Sequence, residues 1–360
     1  MLLRALLLLV PISVVLALVA SVPRVLVFVT ALLAIVPLAE WVRRSTEHVA
    51  ARAGSAIGGL LNVSFGNAPE LILALFVLRA GEVAVVKAQI TGSLIGNSLL
   101  GLGTAIVAGS FGRERQHFNR ERAGLLSSLL ILVTIAILLP ALFDYTERGV
   151  LRDPNSAALD EELSLGVAVV LILVYVGNLI YTFVTHRDVF SRGAAGAHES
   201  DPEVEAPWSL AKSLLILIGA TVLTAVEAEL VSGTITATAT RLGLTPFFLG
   251  VIVLAIVGNA AEYVSAVYFA RRDRMGLVIS ITVGSTIQIA MVVAPVLVIV
   301  SYLMGHPMNL VFGNPIELIA IAGAAFIVNS IAQDGETTWF EGVMLLAVYL
   351  LFALAFFLVT

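Results

Sequence analysis

Glu70 and Glu262 are the residues of this chain best suited to chemistry. Each stands three positions after an asparagine, in FGNAPELILA (residues 65–74) and in VGNAAEYVSA (residues 257–266), and each is set in sequence apolar enough for lipid. Positions i and i+3 share a helix face, so Asn67 with Glu70, and Asn259 with Glu262, each present one amide and one carboxylate together. Gly66 and Gly258 loosen the helix just before. Pro69 lacks an N–H and clashes with the turn before it, which should free carbonyls near Phe65 and Gly66. At membrane depth such carbonyls are tolerated only where they line a cavity or meet a ligand.

Brought together, the two motifs supply two carboxylates, two amides and several backbone carbonyls. An all-oxygen set suits a hard cation. Ca²⁺ accepts six to eight oxygens in irregular geometry, whereas Mg²⁺ demands a tighter octahedron and Zn²⁺ prefers His or Cys, which these segments lack. Two carboxylates neutralise one divalent ion, or hold two protons when it leaves. The alternative is that both glutamates only hydrogen-bond in helix packing. Ionisable residues in membranes are rare and usually functional, and this placement occurs twice. On the helices that follow, Ser93, Ser285, Asn97 and Gln288 can either touch the ion or its gate, or simply join helices by hydrogen bonds.

The elements that must position these residues are transmembrane helices. The chain has 360 residues, 59% hydrophobic and 12% charged, with a mean hydropathy of +1.03; a soluble domain carries about twice that charge. Without cysteine there is no disulfide framework and no thiolate metal site. A net charge of -5 gives no indication of nucleic-acid binding. A spanning helix needs about 20 apolar residues. Cutting at charged and turn-rich breaks gives eleven segments, at 5–21, 25–42, 57–79, 83–109, 123–143, 163–185, 209–232, 245–270, 276–304, 310–331 and 338–358, the second continuing as helix towards Arg52. The first could instead serve as a cleaved signal peptide, but no small-residue cleavage site precedes a polar start. Fourteen of the twenty basic residues fall on one side of this arrangement, placing the N-terminus in the cytoplasm and the C-terminus outside.

An internal repeat organises the whole. A shift of 192 places Gly66-Asn67-Ala68 on Gly258-Asn259-Ala260, Glu70 on Glu262, Arg79 on Arg271 and, without a gap, Gly92-Ser93 on Gly284-Ser285. Upstream, Gly58 falls on Gly250. Five helices separate the starts of the two motif helices, so the copies run in opposite directions. Inverted repeats of this kind are typical of secondary transporters, with the substrate site at the midplane. The expected organisation is therefore an all-α polytopic membrane protein of about 11 transmembrane helices, 1 + 5 + 5: an additional N-terminal helix (1–23), a first five-helix repeat (24–186), an acidic cytoplasmic linker (187–207) and a second repeat (208–360). His198, Glu199, Asp201, Glu203 and Glu205 in the linker could bind a regulatory cation, although a solvated connector explains them as well. The stretch 144–162 reads as a polar connection.

Other acidic residues are weaker candidates. Glu40, Glu47, Glu227 and Glu229 lie on the first helix of each half, where one of each pair could line an access path, yet helix-end solvation explains most of them. Glu317 and Asp334 have less informative neighbours. The five histidines, 48, 117, 186, 198 and 306, lie near loops and read as solvated. No zinc-protease, Walker or nucleophile-elbow motif is present.

GGLLNVSFGNAPELILA and GNAAEYVSAVYFARRDRMGLVISITVGSTIQIA resemble the two signature repeats of the cation/proton exchangers, a branch of the Ca²⁺:cation antiporter superfamily. EHVAARAG and AELVSG, which precede them, resemble that branch too, and the likeness runs from about Glu40 to the last helix. The resemblance implies an eleven-helix fold and Ca²⁺/H⁺ exchange, with Glu70 and Glu262 binding Ca²⁺ and protons alternately, helped by Asn67, Asn259 and carbonyls of unwound turns. It also implies that the long first helices of the halves slide to switch access. Pro69 resembles the sodium/calcium exchanger branch, which usually has Thr-Ser where this chain has Asn-Ala.

These readings converge on a secondary antiporter that exports cytosolic Ca²⁺ against inward proton flow across a prokaryotic inner membrane. No cofactor is expected beyond the transported ions, the surroundings are the lipid bilayer, and a homo-oligomer is left open. A Na⁺-coupled exchanger keeps the same fold. A cation channel needs pore-lining acidic rings, and an intramembrane enzyme has only the paired carboxylates in its favour.

Overall fold

The computed structural model describes residues 5–53, 65–151, 155–182 and 208–359. The start of the first motif helix (57–64, with Gly58), the linker 187–207, His186 and His198 lie outside the described residues.

Apart from one two-stranded pairing, the described chain is helical, and eight helices are long and apolar enough to cross a membrane. The N-terminal helix α1 (Leu9–Leu18) is short. It leads into α2 (Arg24–Ala53), which carries the helix past Arg52 as expected. The first motif lies on α3 (Ala68–Arg79), followed by α4 (Val83–Ile95), a π-helical turn (Gly96–Gly101) and α5 (Leu102–Gly109). α6 (Arg120–Asp144) and α7 (Ser156–Ile180) follow, then α8 (Leu210–Ser232) and α9 (Ile235–Leu242). The second motif lies between α10 (Ala255–Gly258) and α11 (Ala260–Arg271), followed by α12 (Met275–Gln288), a further π turn (Ile289–Val293) and α13 (Ala294–Leu303). α14 (Pro315–Asp334) and α15 (Trp339–Leu358) end the chain.

The shift of 192 read from the motifs carries over to the elements. It places Ala68–Arg79 on Ala260–Arg271, Val83 on Met275 as helix starts, and one π turn on the other. Asn67 and Asn259 share one non-helical conformation, with φ/ψ of -100°/23° and -94°/13°.

Local chemistry sets the helix ends. Asn119 caps α6 by accepting from the Arg122 amide, and Thr245 does the same for Phe248. Thr338 and Glu341 form a reciprocal capping box at α15. Gly243 and Gly335, with φ of 65° and 74°, close α9 and α14 in the left-handed conformation that glycine adopts most easily.

Two segments differ from the sequence expectation. The stretch 144–162, read as a polar connection, is largely helical: a π turn continues α6 from Tyr145 to Leu151, and α7 already begins at Ser156. Arg148 accounts for this, pairing with Asp144 within its own turn and with buried Asp160 of α7 at 3.0 Å. The segment 245–270, read as one helix, is interrupted at Asn259. Before that break, Ile235–Leu242 and Pro246–Gly258 meet at 112°.

Lipid and core divide the helices. Of the most apolar window in each span, 83% is buried for Val83–Gly109 and 72% for Met275–Leu303, against 28% for α7 and 22% for α15. The helices after each motif are thus the centre of the molecule, while Leu173, Leu350 and Leu351 face outward. α2 and α8, the long first helices of the halves, pack along each other, and α1 packs on both. A short antiparallel bridge pairs Gln116 with Thr337 and His117 with Glu336, reinforced by an Arg115–Glu336 ion pair.

Candidate functional site

Each motif asparagine stands where its helix breaks, which puts Glu70 and Glu262 in the first turns of α3 and α11. There the helix N-terminus favours a negative charge. Both glutamates are buried, Glu70 at 2% exposure and Glu262 at 9%. They lie within electrostatic range of each other, and a β-carbon added to Gly258 would come within 3.2 Å of Glu70 Cγ. Gly66 is half-buried beside Asn67. In the first motif, Pro69 withholds the amide that would otherwise reach the carbonyl of Phe65.

The six polar residues named alongside the glutamates form one continuous hydrogen-bonded belt. Asn259 Nδ2 donates to Ser93 Oγ at 2.9 Å, and Asn97 Nδ2 donates to Asn259 Oδ1 at 2.7 Å. Asn97 also reaches Ser285 Oγ at 3.1 Å, and Ser285 donates to Asn67 Oδ1 at 2.8 Å. Asn67 Nδ2 then donates to Gln288 Oε1 at 2.7 Å. The belt crosses between motifs: each asparagine meets the serine of the other copy. Asn97 and Gln288 are one position out of register in sequence, yet each bonds to the asparagine of the opposite motif, because the π turn beside each redirects the helix face.

Most belt oxygens are therefore engaged with one another. The glutamates are different. Both carboxylate oxygens of Glu70, Oε2 of Glu262 and Oδ1 of Asn97 are buried without a hydrogen-bond partner. Among the described residues no group of three or more His, Cys, Asp or Glu converges, so any cation here meets two carboxylates supplemented by neutral oxygens. Uncompensated burial of two carboxylates is costly, and a hard cation or protons would relieve it.

The remaining acidic candidates divide by partner. Glu40 is held by Arg43 at 2.9 Å and Arg44 at 2.5 Å, and Glu47 pairs with Arg43. Arg43 and Glu40 lie within electrostatic range of Glu262. Glu229 is exposed, 3.8 Å from Arg79. Helix-end solvation fails for Glu227, which is fully buried and accepts a 2.8 Å hydrogen bond from Ser13 of α1. Glu227 is shielded because α1 covers α8 there. Glu317 is also buried, accepting from Thr91 at 2.8 Å. His48 does not stand free in solvent either, stacking on Trp208 with ring centroids 4.1 Å apart.

Two residues beside the site escaped the sequence reading. Gln89 donates to the Glu70 carbonyl at 3.3 Å and leaves its own oxygen without a partner. Tyr263 carries a buried hydroxyl, also without a partner. Their counterparts at the shift of 192 are Ile281 and Leu71, so the repeat could not single them out. The only available signal was Tyr263's position next to a motif glutamate.

The family described as sodium/calcium exchanger protein matches residues 24–184 and 212–358. The chain is 46% identical over 345 residues to a Ca(2+)/H(+) antiporter of Synechocystis sp., covering 92% of this chain and 90% of that one. It is 40% identical over 337 residues to the Ca(2+)/H(+) antiporter ChaA of Bacillus subtilis, covering 93% of each. Among solved structures, native YfkE matches with a TM-score of 0.82 at 36% identity over 97% of both chains. An H+/Ca2+ exchanger, CAX, shares the fold at a TM-score of 0.69 and 18% identity, covering 99% of this chain and 91% of that one.

Proposed function

The chain belongs to the sodium/calcium exchanger protein family, and on that premise we propose that it is a secondary antiporter exchanging Ca²⁺ for H⁺ at a site formed by Glu70 and Glu262. The observation that carries this reading is the set of buried oxygens without partners on these two glutamates. They stand beside a belt of amides and hydroxyls that is otherwise satisfied internally. The names of relatives at 46% and 40% identity support the choice of ions.

The coupling follows from charge. With Ca²⁺ bound, two carboxylates and a divalent cation sum to zero; with two protons bound they again sum to zero. Empty, the site carries two negative charges inside apolar surroundings, a state that is expensive at membrane depth. Only the two loaded forms would switch access cheaply, so release of one ion awaits binding of the other. Ca²⁺ tolerates the irregular shell that two carboxylates and neutral oxygens provide. Asn97 Oδ1 is the belt oxygen open to it. The other five members hold the motif turns in place, with Gly258 leaving room beside Glu70.

Alternating access in this proposal uses two inverted repeats, 24–186 and 208–360, in an eleven-helix arrangement. The coincidence of motif helices and π turns at a shift of 192 supports that layout. α2 and α8, packed along each other, are the pair that slides. The N-terminus faces the cytoplasm and Ca²⁺ moves outward across a prokaryotic inner membrane. Proteoliposomes loaded with ⁴⁵Ca²⁺ test the exchange. An inward proton gradient should discharge them, and an inward Na⁺ gradient at constant pH should not. Discharge by Na⁺ alone would overturn proton coupling and leave the site in place.

A further inference from the structure

The two motifs part company at one position: Glu70 is followed by Leu71, Glu262 by Tyr263. The Tyr263 ring lies in a cradle made by the first π turn. A β-carbon on Gly96 would come within 2.5 Å of its Oη, and one on Gly101 within 2.7 Å and 2.8 Å of Cδ1 and Cε1. Glycine is a poor helix residue, so two glycines in one helical turn mark a place made for this ring. At the shift of 192 the counterpart of Gly96 is Gln288. The phenol thus stands on one side of the site in the space that a side chain takes up on the other.

Phenylalanine would keep the ring contacts with Gly101, whereas the space beside Gly96 is taken by the hydroxyl oxygen. The hydroxyl is buried without a hydrogen-bond partner, a state that costs stability. Groups able to accept a hydrogen bond lie in its electrostatic surroundings. Glu262 and Glu70 lie within its electrostatic range, as does the Tyr349 phenol, and Asn97, next to Gly96, has a free Oδ1. The other charged groups facing Glu262 are Glu40 and Arg43 of α2.

We propose that the Tyr263 hydroxyl is a positioning group for the cation site. When the cation is bound, it donates to a glutamate oxygen that does not touch the ion and so fixes that carboxylate's orientation. Ligating carboxylates are commonly held this way, and removal of such a support typically lowers metal affinity about 10–100-fold. With Leu71 opposite, only one side of the site has this support, so the two glutamates are not equivalent ligands. The proposal rests on the reading of Glu70 and Glu262 as cation ligands.

Equilibrium binding of ⁴⁵Ca²⁺ to the purified full chain at fixed pH tests it, comparing wild type, Tyr263→Phe and Glu262→Gln. Tyr263→Phe should raise the dissociation constant about tenfold or more, while the maximal exchange rate at saturating Ca²⁺ stays near wild type and the melting temperature does not fall. Unchanged affinity in Tyr263→Phe, with binding lost in Glu262→Gln, overturns this role alone. A weakened affinity accompanied by a lowered melting temperature also overturns it, assigning the hydroxyl to packing. Wild-type-like binding by Glu262→Gln overturns the two-glutamate site, and this inference with it.

Discussion

The side chain of Glu70 rests on the backbone of Gly258, so closely that a β-carbon there would lie 3.2 Å from Glu70 Cγ. One signature motif thus shapes the glutamate of the other. Gly258→Ala should displace the carboxylate by a few tenths of an ångström without leaving the fold. Positioning errors at a metal site are costly, and half-saturating Ca²⁺ in vesicle transport should rise about tenfold. Unaltered transport would show that the contact has no part in ion binding.

Glu70→Gln and Glu262→Gln should each abolish exchange, since either leaves the site one charge short of neutralising Ca²⁺ and one proton short of the return. Neither variant should unfold, because Glu70 has no side-chain partner to lose and an amide is cheaper to bury than a carboxylate. Size-exclusion profiles and melting curves, read beside ⁴⁵Ca²⁺ flux, check both halves of the statement.

At the proposed two-glutamate site protons and Ca²⁺ would compete for the same oxygens, which sets the sign of the pH dependence. Acidification protonates the ligands and weakens Ca²⁺ binding; alkalinisation strengthens it until both carboxyls are ionised. For two displaced protons the apparent affinity changes by up to about 100-fold per pH unit on the acid side. Ca²⁺ titrations across a pH series give the slope directly, and a flat profile would exclude shared ligands.

Asn259 is fully buried and makes three side-chain hydrogen bonds, to Ser93, Asn97 and the Ala255 carbonyl. Asn259→Ala leaves those partners unsatisfied, at a cost of about 1–3 kcal/mol. In a double-mutant cycle with Asn97→Ala the pair should couple by about 0.5–3 kcal/mol. Additive losses in thermal stability would mean that the belt does not act as a unit.

Ser13 ties the N-terminal helix to Glu227 through a hydrogen bond of 2.8 Å between two fully buried residues. Ser13→Ala removes the only donor to that carboxylate among the described residues and should destabilise the protein by about 1–3 kcal/mol. Ser13→Thr, which keeps the hydroxyl, should recover much of the loss. Melting temperatures of the two variants decide the point.

The amino-acid sequence alone determined the membrane setting, the repeat and the two glutamates. Hydrophobic runs reflect a solvent with no water to satisfy the backbone, and a carboxylate within such a run stands out by its cost. Repetition at a constant spacing of 192 then isolated Asn67, Asn259, Ser93 and Ser285 without any knowledge of contacts. Asn97 and Gln288 were visible as polar residues in apolar helices, but their place opposite the asparagines depends on π turns, and a one-residue change of register is invisible to a strict repeat.

The surroundings of Glu227 and Tyr263 were decided only by tertiary structure. Whether Glu227 meets solvent or Ser13 depends on where α1 packs, 214 residues away in the chain. Tyr263 lies against glycines more than 160 positions earlier, and its departure from the repeat concealed it. Periodicity and composition record the medium each residue faces, which is a local property of the sequence. Partners across helices are set by packing between segments far apart in the chain, and only the folded molecule brings them together.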